Sequence, residues 1–442
     1  MKGLLKLNKF YLLLLVLIFT TSALVYAEVI EVDLWHGFSG ARMDVLSKIV
    51  DDFNALDPGR KIVPMLYGSY EEGLARFLAA HPIQQEPALF ATYEGSMGAL
   101  HDSNMIIPAY KIPEIVGAEW DFGQYVRPIV SYYSKDGNLW SWPMASSVQI
   151  IYYNADHLRQ AGLDPNKPPT TWDELHQYGL QLLETGVCKH PLVLGWPDAV
   201  FENQLCTHNL EYCDQGNGRE GHSTKVYWPN EFTDKLMSKW SEMAKDGVWA
   251  YGGVEYDVNG AFQAGEATFL HQSTSSLNGI LKTVGDDFEV KTTFVPRLND
   301  DYPQGNSFIG GSSLYVSNQA SQEEIEVIFE FFQYLARPEV DVWWHKNTGY
   351  FPSTNAGLRM LMDSGWFVES PNHLTAFLQI LSGKTDSNAA IGMKLGTYVQ
   401  AREWCREAIE KISRGEDQRQ ALEYSAAQIN KIFAEYNEFF KD

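Results

Sequence analysis

Strands and helices alternate in the first hundred residues, and this alternation restricts the fold more than any other feature of the sequence. The segments 29–35, 61–67 and 88–93 have the composition of strands, and amphipathic helical segments separate them. This spacing indicates βαβ units and a mainly parallel sheet, which is an α/β fold. Ligands of such sheets bind beyond the carboxyl ends of the strands. Tyr70 and Glu94 lie just past two of these ends and are candidate binding residues.

A further strand-to-helix junction lies at 267–280, with the sequence ATFLHQSTSSLNGI. Its apolar start predicts a buried strand, and the hydroxyl residues 273–276 lead into a helix. Hydroxyl side chains at such a junction can cap the helix. The free N–H groups of the helix, together with its dipole, can also bind an anion. The sequence leaves both interpretations open.

The N-terminus predicts export. Residues 1–27 begin with lysines, continue through an apolar run from Phe10 to Phe19, and end in small residues at Val25 and Ala27. This order is typical of a secretory signal peptide, so we expect cleavage after Ala27 and release into the periplasm. An uncleaved anchor is the alternative. The 442 residues, 45% of them hydrophobic, are enough for two domain cores.

Acidic residues dominate the charge. The whole chain carries −22, from 34 basic and 56 acidic residues. Loss of residues 1–27 would remove three lysines and no acids, leaving 31 basic and 56 acidic residues and a charge of −25. Such a surface argues against nucleic acid and anionic membranes as partners. Any anion that the protein binds must therefore be held by local groups that overcome this field.

The cysteines do not indicate a metal site. Cys206 and Cys213 are close enough in sequence to pair in an oxidising compartment. Together with Cys188 and the nearby histidines they fit no compact zinc pattern. We therefore expect no metal and no cofactor.

The side chains with the most informative chemistry suit binding better than catalysis. No common hydrolase, nucleotide-binding or zinc-protease motif is present in its context. A glycosidase needs two catalytic carboxylates, and Glu94 is the one candidate that the sequence indicates. The guanidinium of Arg402 has a planar fork suited to phosphate, and the hydroxyls of Ser147 and Ser273 donate to phosphate without repelling it. Trp196, at the end of a short strand, can pack in the core or cover a polyol.

Several segments, taken together and in order, resemble one family. They are WHGFSG, YGSYEEGL, PALFATYEG, ASSVQIIYYNADHLRQAGLDPNKPPTTWDEL, FIGGSSLYV, HKNTGYFPST and LGTYVQAR. The set is similar to the sn-glycerol-3-phosphate-binding proteins of bacterial ABC importers, within extracellular solute-binding protein family 1. The resemblance covers nearly all of the chain after residue 27, although the insertion at 207–230 departs from the family pattern.

The resemblance implies a set of ligand-binding residues and no catalytic ones. The implied positions are Tyr70, Glu94, Ser147, Ser273, Gly311, Tyr350 and Arg402, with Trp196 as a stacking residue. Arg402, Tyr350 and the two serines suit the phosphate. Gly311 supplies backbone, and Glu94 accepts hydrogen bonds from glycerol hydroxyls. Because a carboxylate repels phosphate, we expect Glu94 at the opposite end of the ligand from Arg402.

The resemblance also implies a two-lobed, maltose-binding-protein-like fold of class II, with a hinge and a ligand cleft between the lobes. We expect residues 28–145 and 272–316 in the N-terminal lobe, and residues 146–271 and 317–442 in the C-terminal lobe. The implied protein is not an enzyme. It is a monomer that captures sn-glycerol 3-phosphate and delivers it to the permease subunits and ATPase of an importer.

Other ligands and other classes stay open. Glycerophosphodiesters such as glycerophosphocholine fit the same reasoning, and the sequence does not rank them against sn-glycerol 3-phosphate. An oligosaccharide-binding protein of the same fold would show more aromatic platforms and would not need Arg402. A secreted glycosidase would need a second carboxylate across the cleft from Glu94.

Overall fold

The computed structural model describes residues 29–251, 257–299 and 301–440. The signal peptide expected at 1–27 therefore lies outside the described residues. The strands are β1 (Ile30–His36), β2 (Arg60–Leu66), β3 (Leu89–Tyr93), β4 (Ile106–Ile107), β5 (Ser134–Lys135), β6 (Asn138–Leu139), β7 (Trp142–Ser147), β8 (Gln149–Asn154), β9 (His190–Leu194), β10 (Ala267–Ser273), β11 (Val290–Thr293) and β12 (Gly310–Ser317).

Helices connect and cover these strands. They are α1 (Ala41–Asn54), α2 (Tyr70–Ala80), α3 (Met97–Ser103), α4 (Ile112–Ile115), α5 (Arg127–Ser131), α6 (Ala155–Gln160), α7 (Trp172–Thr185), α8 (Pro197–Thr207), α9 (Glu231–Lys245), α10 (Val258–Gln263), α11 (Leu277–Val284), α12 (Gln322–Leu335), α13 (Pro338–Thr348), α14 (Asn355–Asp363), α15 (Trp366–Glu369), α16 (Pro371–Ser382), α17 (Asn388–Ile391), α18 (Tyr398–Ser413) and α19 (Gln418–Glu438). Asp214–Gly218 forms a turn of left-handed backbone within the irregular segment predicted at 207–230.

Two sheets divide the described residues into two α/β lobes. The first sheet has six strands in the order β2-β1-β3-β12-β4, with β7 paired to β12. Here β1 is parallel to β2 and β3, as the βαβ pattern predicts, whereas β12 runs antiparallel to its neighbours. The second sheet has four strands in the order β11-β8-β10-β9. The prediction of a two-lobed α/β fold is confirmed.

Local sequence signals account for several elements. Thr171 with Glu174, and Ser321 with Glu324, form capping boxes, each closing the first turn of its helix. The stretch at 267–280 is a buried strand, a 3-10 turn at Thr274–Ser276 and helix α11, as its pattern indicates. The N-cap of α1 is Gly40, so this helix begins without a side-chain capping hydrogen bond.

The sheet pairing corrects the expected lobe limits. The interval 272–316 was expected in the N-terminal lobe, but β11 pairs with β8 in the second sheet, and only β12 of that interval joins the first. Likewise, 317–442 was expected in the C-terminal lobe, but α12 packs on β1 and β2, and α13 packs on α1. These pairings join segments far apart in sequence, and local periodicity carries no signal for such contacts.

Among the described residues, the chain crosses between the lobes at three places. The first is Val148, where β7 of one sheet passes into β8 of the other, and its carbonyl accepts a 2.8 Å hydrogen bond from the N–H of Thr274. The second lies between β11 and β12, and the third lies near Ser370, since α16 packs on β8 and β11. Several crossings of this kind are typical of a hinge. No helix of the described residues has the length and hydropathy needed to span a membrane.

The four cysteines are free thiols in the structure. Cys206 and Cys213, considered above as a pair, are both buried, and burial raises the pKa of each thiol to about 12. They pack as small apolar side chains in the second lobe.

Candidate functional site

A cleft of about 600 Å³ lies between the lobes, and all eight residues singled out from the sequence line it. They are Tyr70, Glu94, Ser147, Trp196, Ser273, Gly311, Tyr350 and Arg402. The volume falls within the range of about 300–1,000 Å³ that is typical of small-molecule sites. Residues more than 300 positions apart in the sequence thus lie on one surface.

The first-lobe wall is built where strands end. Glu94 directly follows β3 and opens a 3-10 turn, as the rule for strand ends predicts. In β12, Gly311 donates its N–H to Oε2 of Glu94 at 3.1 Å, and lies opposite Ser146 of β7. Gly311 has φ of +95°, and a Cβ there would lie 1.9 Å from the carbonyl oxygen of Ala145. Only glycine therefore allows this approach of the two strands.

Arg402 is the centre of a buried group of charges, which we call the carboxylate cluster: Glu94, Asp198, Glu202, Arg402 and Arg406. Arg402 Nη2 lies 2.6 Å from Oε2 of Glu202, and Nε lies 3.0 Å from Oε1. Arg402 Nη1 lies 3.2 Å from Oε1 of Glu94. Arg406 Nη2 lies 3.1 Å from Oδ2 of Asp198, which is also 3.8 Å from Arg402 Nε. Each charge in the cluster thus has an opposite charge beside it.

The contact between Glu94 and Arg402 shows that one expectation was wrong. Glu94 was expected at the far end of the ligand from Arg402, whereas the two side chains form an ion pair. The expectation failed because it assigned the charge of Arg402 to the phosphate. The carboxylates that already neutralise this charge come from α8 and from the end of β3, more than 190 residues away in sequence.

The titration behaviour follows from burial and from these pairs. Burial raises the pKa of Glu94, and the charge of Arg402 offsets part of that rise. Burial alone would lower the pKa of Arg402, but Glu202, Tyr398 and Glu94 hold it well above the ordinary value. Tyr398 donates its hydroxyl to Oε2 of Glu202 at 2.8 Å, and its ring lies 4.4 Å from the guanidinium carbon of Arg402. The guanidinium is therefore permanently charged and held in place on several sides.

A second group, which we call the hydroxyl cluster, consists of Tyr70, Ser147, Ser273 and Tyr350, which line the cleft together with Arg42. Arg42 Nη1 donates to the hydroxyl of Tyr350 at 3.3 Å. Tyr70 stacks on Tyr93 with ring centroids 5.4 Å apart. Burial raises the pKa of the Tyr70 phenol, so this hydroxyl is a neutral hydrogen-bond donor at physiological pH.

Backbone hydrogen bonds at the first crossing bring the hydroxyls together. The N–H of Phe351, next to Tyr350, donates to the carbonyl of Ser146 at 2.9 Å, beside Ser147. Ser273 occupies the cap of the 3-10 turn, where its Oγ accepts a 3.2 Å hydrogen bond from the N–H of Ser275. The capping interpretation of this stretch is confirmed at Ser273, which also lines the cleft, and its contact with a ligand stays a prediction.

Trp196 is exposed and conformationally unusual. It lines the cleft with 59% of its surface accessible, and it precedes α8 with φ of +58°. A left-handed conformation is costly for an aromatic residue and is found most often at functional positions. Of the two interpretations that the sequence left open, the structure excludes packing in the core.

Four charged residues at the site were missed, although signals for them exist: Arg42 and Arg406 line the cleft, and Asp198 and Glu202 are buried behind Arg402. Arg42 follows the end of β1 at the start of α1, the position that identified Tyr70 and Glu94 for the next two strands. In α8, Asp198 and Glu202 stand four residues apart in a fully buried helix, and Arg402 and Arg406 have the same spacing in α18. Like charges at this spacing repel within a helix, so each pair requires the opposite charges of the other.

Comparisons with known proteins identify the family of the chain. Residues 48–375 match the family described as bacterial extracellular solute-binding protein. The sn-glycerol-3-phosphate-binding periplasmic protein UgpB of Brucella abortus is 30% identical over 408 residues, covering 91% of this chain and 93% of that protein. The protein of the same name from Escherichia coli K12 is 30% identical over 417 residues, covering 93% and 94%.

Solved structures show the same fold. UgpB from Mycobacterium tuberculosis in complex with glycerophosphocholine has a TM-score of 0.75 at 19% identity, covering 92% of this chain and 99% of that one. Maltose-bound MalE3 of T. maritima has a TM-score of 0.72 at 18% identity, covering 91% and 100%. The maltose-binding-protein-like fold is thereby confirmed. By its matched sequence, its two lobes and the cleft between them, the chain belongs to the bacterial extracellular solute-binding proteins.

Proposed function

We propose that this protein is the substrate-binding component of an ABC importer and that it captures sn-glycerol 3-phosphate, and glycerophosphodiesters such as glycerophosphocholine, in the cleft. The observation that carries the proposal is the mixture of groups along one surface. The hydroxyl cluster offers neutral donors and a guanidinium, which suit a phosphate. The carboxylate cluster offers acceptors for alcohol hydroxyls, which suit glycerol.

The relatives support the same ligand class. The names of the Brucella and Escherichia proteins specify sn-glycerol 3-phosphate, and the Mycobacterium structure contains glycerophosphocholine. Within the cleft, the exposed ring of Trp196 provides a flat surface for a polyol or for a cationic head group. We accordingly propose that the eight lining residues named from the sequence contact the ligand.

The family supports a cellular context for this function. We propose that the chain is exported, that the signal peptide is removed after Ala27, and that the protein works in the periplasm as a monomer. After binding, it passes its ligand to permease subunits driven by an ATPase. We propose no catalytic role, because Glu94 and Glu202 both bind the guanidinium of Arg402 instead of flanking a space as a general acid and base.

Calorimetric titration of the purified protein tests the ligand. We expect saturable binding of sn-glycerol 3-phosphate and of glycerophosphocholine, and no heat above dilution with maltose. Free glycerol is the matched control, because it has the hydroxyls without the phosphate and should bind far more weakly. Binding of maltose alone would overturn the proposal and would favour an oligosaccharide-binding protein of the same fold.

A further inference from the structure

Three arginines line the cleft, and they differ in whether neighbouring carboxylates neutralise their charges. Arg402 and Arg406 contact Glu94, Asp198 and Glu202, so two cations face three carboxylates in the carboxylate cluster. The formal charge of that cluster is −1. Glu403, which also lines the cleft from α18, adds to the negative charge on the same side. A phosphate placed there would meet a net repulsion in a protein that is already acidic.

Arg42 has a different environment. Its contact is the neutral hydroxyl of Tyr350, and within the described residues no carboxylate forms an ion pair with its guanidinium. The side chain is half-buried in the cleft wall. Its charge is therefore not neutralised by an ion pair, and its remaining N–H donors are available to a ligand. Glu71 is the acidic residue at the start of the neighbouring helix α2 that also lines the cleft.

The surroundings of Arg42 suit an anion. Tyr70 and Tyr350 contribute phenol hydroxyls from the first lobe. The turn before Tyr350 touches the second lobe, because a Cβ at Gly349 would lie 2.7 Å from the carbonyl oxygen of Thr274. That contact places the serines at 273, 275 and 276, which line the cleft, near Tyr350. Helix α11 begins directly after them, and its N-terminus adds positive potential on the same side.

From this contrast we propose that Arg42, and not Arg402, is the cation that binds the phosphate of the ligand. The inference rests on the proposed function and says which part of the cleft holds each end of the ligand. The guanidinium of Arg42 donates to phosphate oxygens, with the hydroxyl cluster completing the shell. The glycerol hydroxyls then lie at the carboxylate cluster, where Glu94 accepts hydrogen bonds and Arg402 keeps the carboxylates ionised and oriented.

Replacing Arg42 with glutamine tests the assignment. Arg42→Gln keeps a donor for Tyr350 but removes the charge, so we expect binding of sn-glycerol 3-phosphate to weaken by about 10- to 150-fold, as for loss of a hydrogen bond to a charged group. The loss for glycerophosphocholine should be smaller, because a phosphodiester carries less negative charge than a phosphomonoester. Lys48→Gln, on the same helix and exposed, is the matched control for net charge and should leave both affinities unchanged.

The outcomes separate this inference from the proposed function. If the native protein binds sn-glycerol 3-phosphate but Arg42→Gln binds it within threefold as tightly, the assignment of Arg42 is overturned while the function stands. If the native protein binds no phosphate ligand, both are overturned. Arg42→Lys, which keeps the charge but loses the planar fork, should retain part of the affinity. Should the glutamine variant not fold, Arg42→Met, which also removes the charge, replaces it, and an affinity within threefold of the native protein in that variant overturns the assignment.

Discussion

The stability of an Arg402→Ala variant, measured without ligand, tests the structural role of Arg402 apart from any role in binding. In Arg402→Ala, Glu202 and Glu94 would keep their buried positions, where they are 2% and 8% exposed, without the guanidinium between them. Removal of one partner of a buried ion pair typically costs about 3–5 kcal/mol, because the remaining charge has lost its compensation. We therefore expect the unfolding free energy of the ligand-free protein to fall by about that amount at pH 7.5.

The pH dependence of this loss has a defined sign. Burial already raises the pKa of Glu94 and of Glu202, and removal of Arg402 would raise both further. A carboxyl group with a folded pKa above its unfolded value binds protons in the folded state first. The variant is therefore relatively more stable at low pH, and it loses stability as pH rises above the unfolded value of about 4.3. The deficit relative to the native protein should be smaller at pH 5 than at pH 7.5.

Urea unfolding without ligand at both pH values measures the effect. Arg414→Ala is the matched control, since Arg414 follows the same helix, forms an exposed pair with Glu410 and should change stability by less than about 1 kcal/mol. Adding Glu202→Leu to an Arg402→Met variant should recover part of the loss, because a well-packed apolar pair avoids the desolvation cost. If Arg402→Ala were as stable as Arg414→Ala at both pH values, the reasoning about a buried charge cluster would be refuted.

Two further positions allow sharp tests by urea unfolding. Gly311→Ala should lose about 1–3 kcal/mol, because its φ is +95° and the new methyl group would meet the carbonyl of Ala145; Gly279→Ala, in helix α11 with open space around its Cβ, should lose nothing. Burial lowers the pKa of His271 to about 3, so the unfolded chain takes up the proton first and the native protein loses about 2 kcal/mol between pH 7 and pH 5 through this residue. His271→Leu should remove that part of the pH dependence. If the unfolding free energy of this variant fell as steeply between pH 7 and pH 5 as that of the native protein, His271 would not be its source.

The fold was predictable where neighbouring residues determine it. The alternation of strands and helices, the two capping boxes and the junction at 267–280 are local signals, and each of them is present in the structure. The lobe limits were less predictable, because they depend on which distant strands pair. The short strand β11 joins a strand about 140 residues earlier through main-chain hydrogen bonds, which leave little trace in the choice of side chains.

The eight candidate residues chosen from the sequence all line one cleft, but the charge balance within that cleft was not predictable. The residues four positions before and after Arg402 are Tyr398 and Arg406, so no acid at that spacing in the helix pairs with it. Nothing in the local sequence indicates that Glu202, which is 200 residues away, forms that pair. A helix with buried Asp198 and Glu202 at the spacing of one turn was a usable signal, because two like charges in an apolar helix need external cations. Ion pairs between distant segments therefore cannot be predicted from residues considered one at a time.

The carboxylate cluster also bears on how the cleft responds to ligand. Glu94 belongs to the first lobe, whereas Arg402 and Glu202 belong to the second, so the ion pair at 3.2 Å connects the two walls of the cleft. A carboxylate can accept several hydrogen bonds at once, and Glu94 already accepts one from Gly311. A ligand hydroxyl that bonds to Glu94 would share it with the cation of the opposite lobe. The hydrogen bond from the ligand hydroxyl and the ion pair with Arg402 both favour the ionised form of Glu94. Binding of the polyol and approach of the lobes should therefore reinforce each other. The charge of the phosphate is balanced separately, at Arg42.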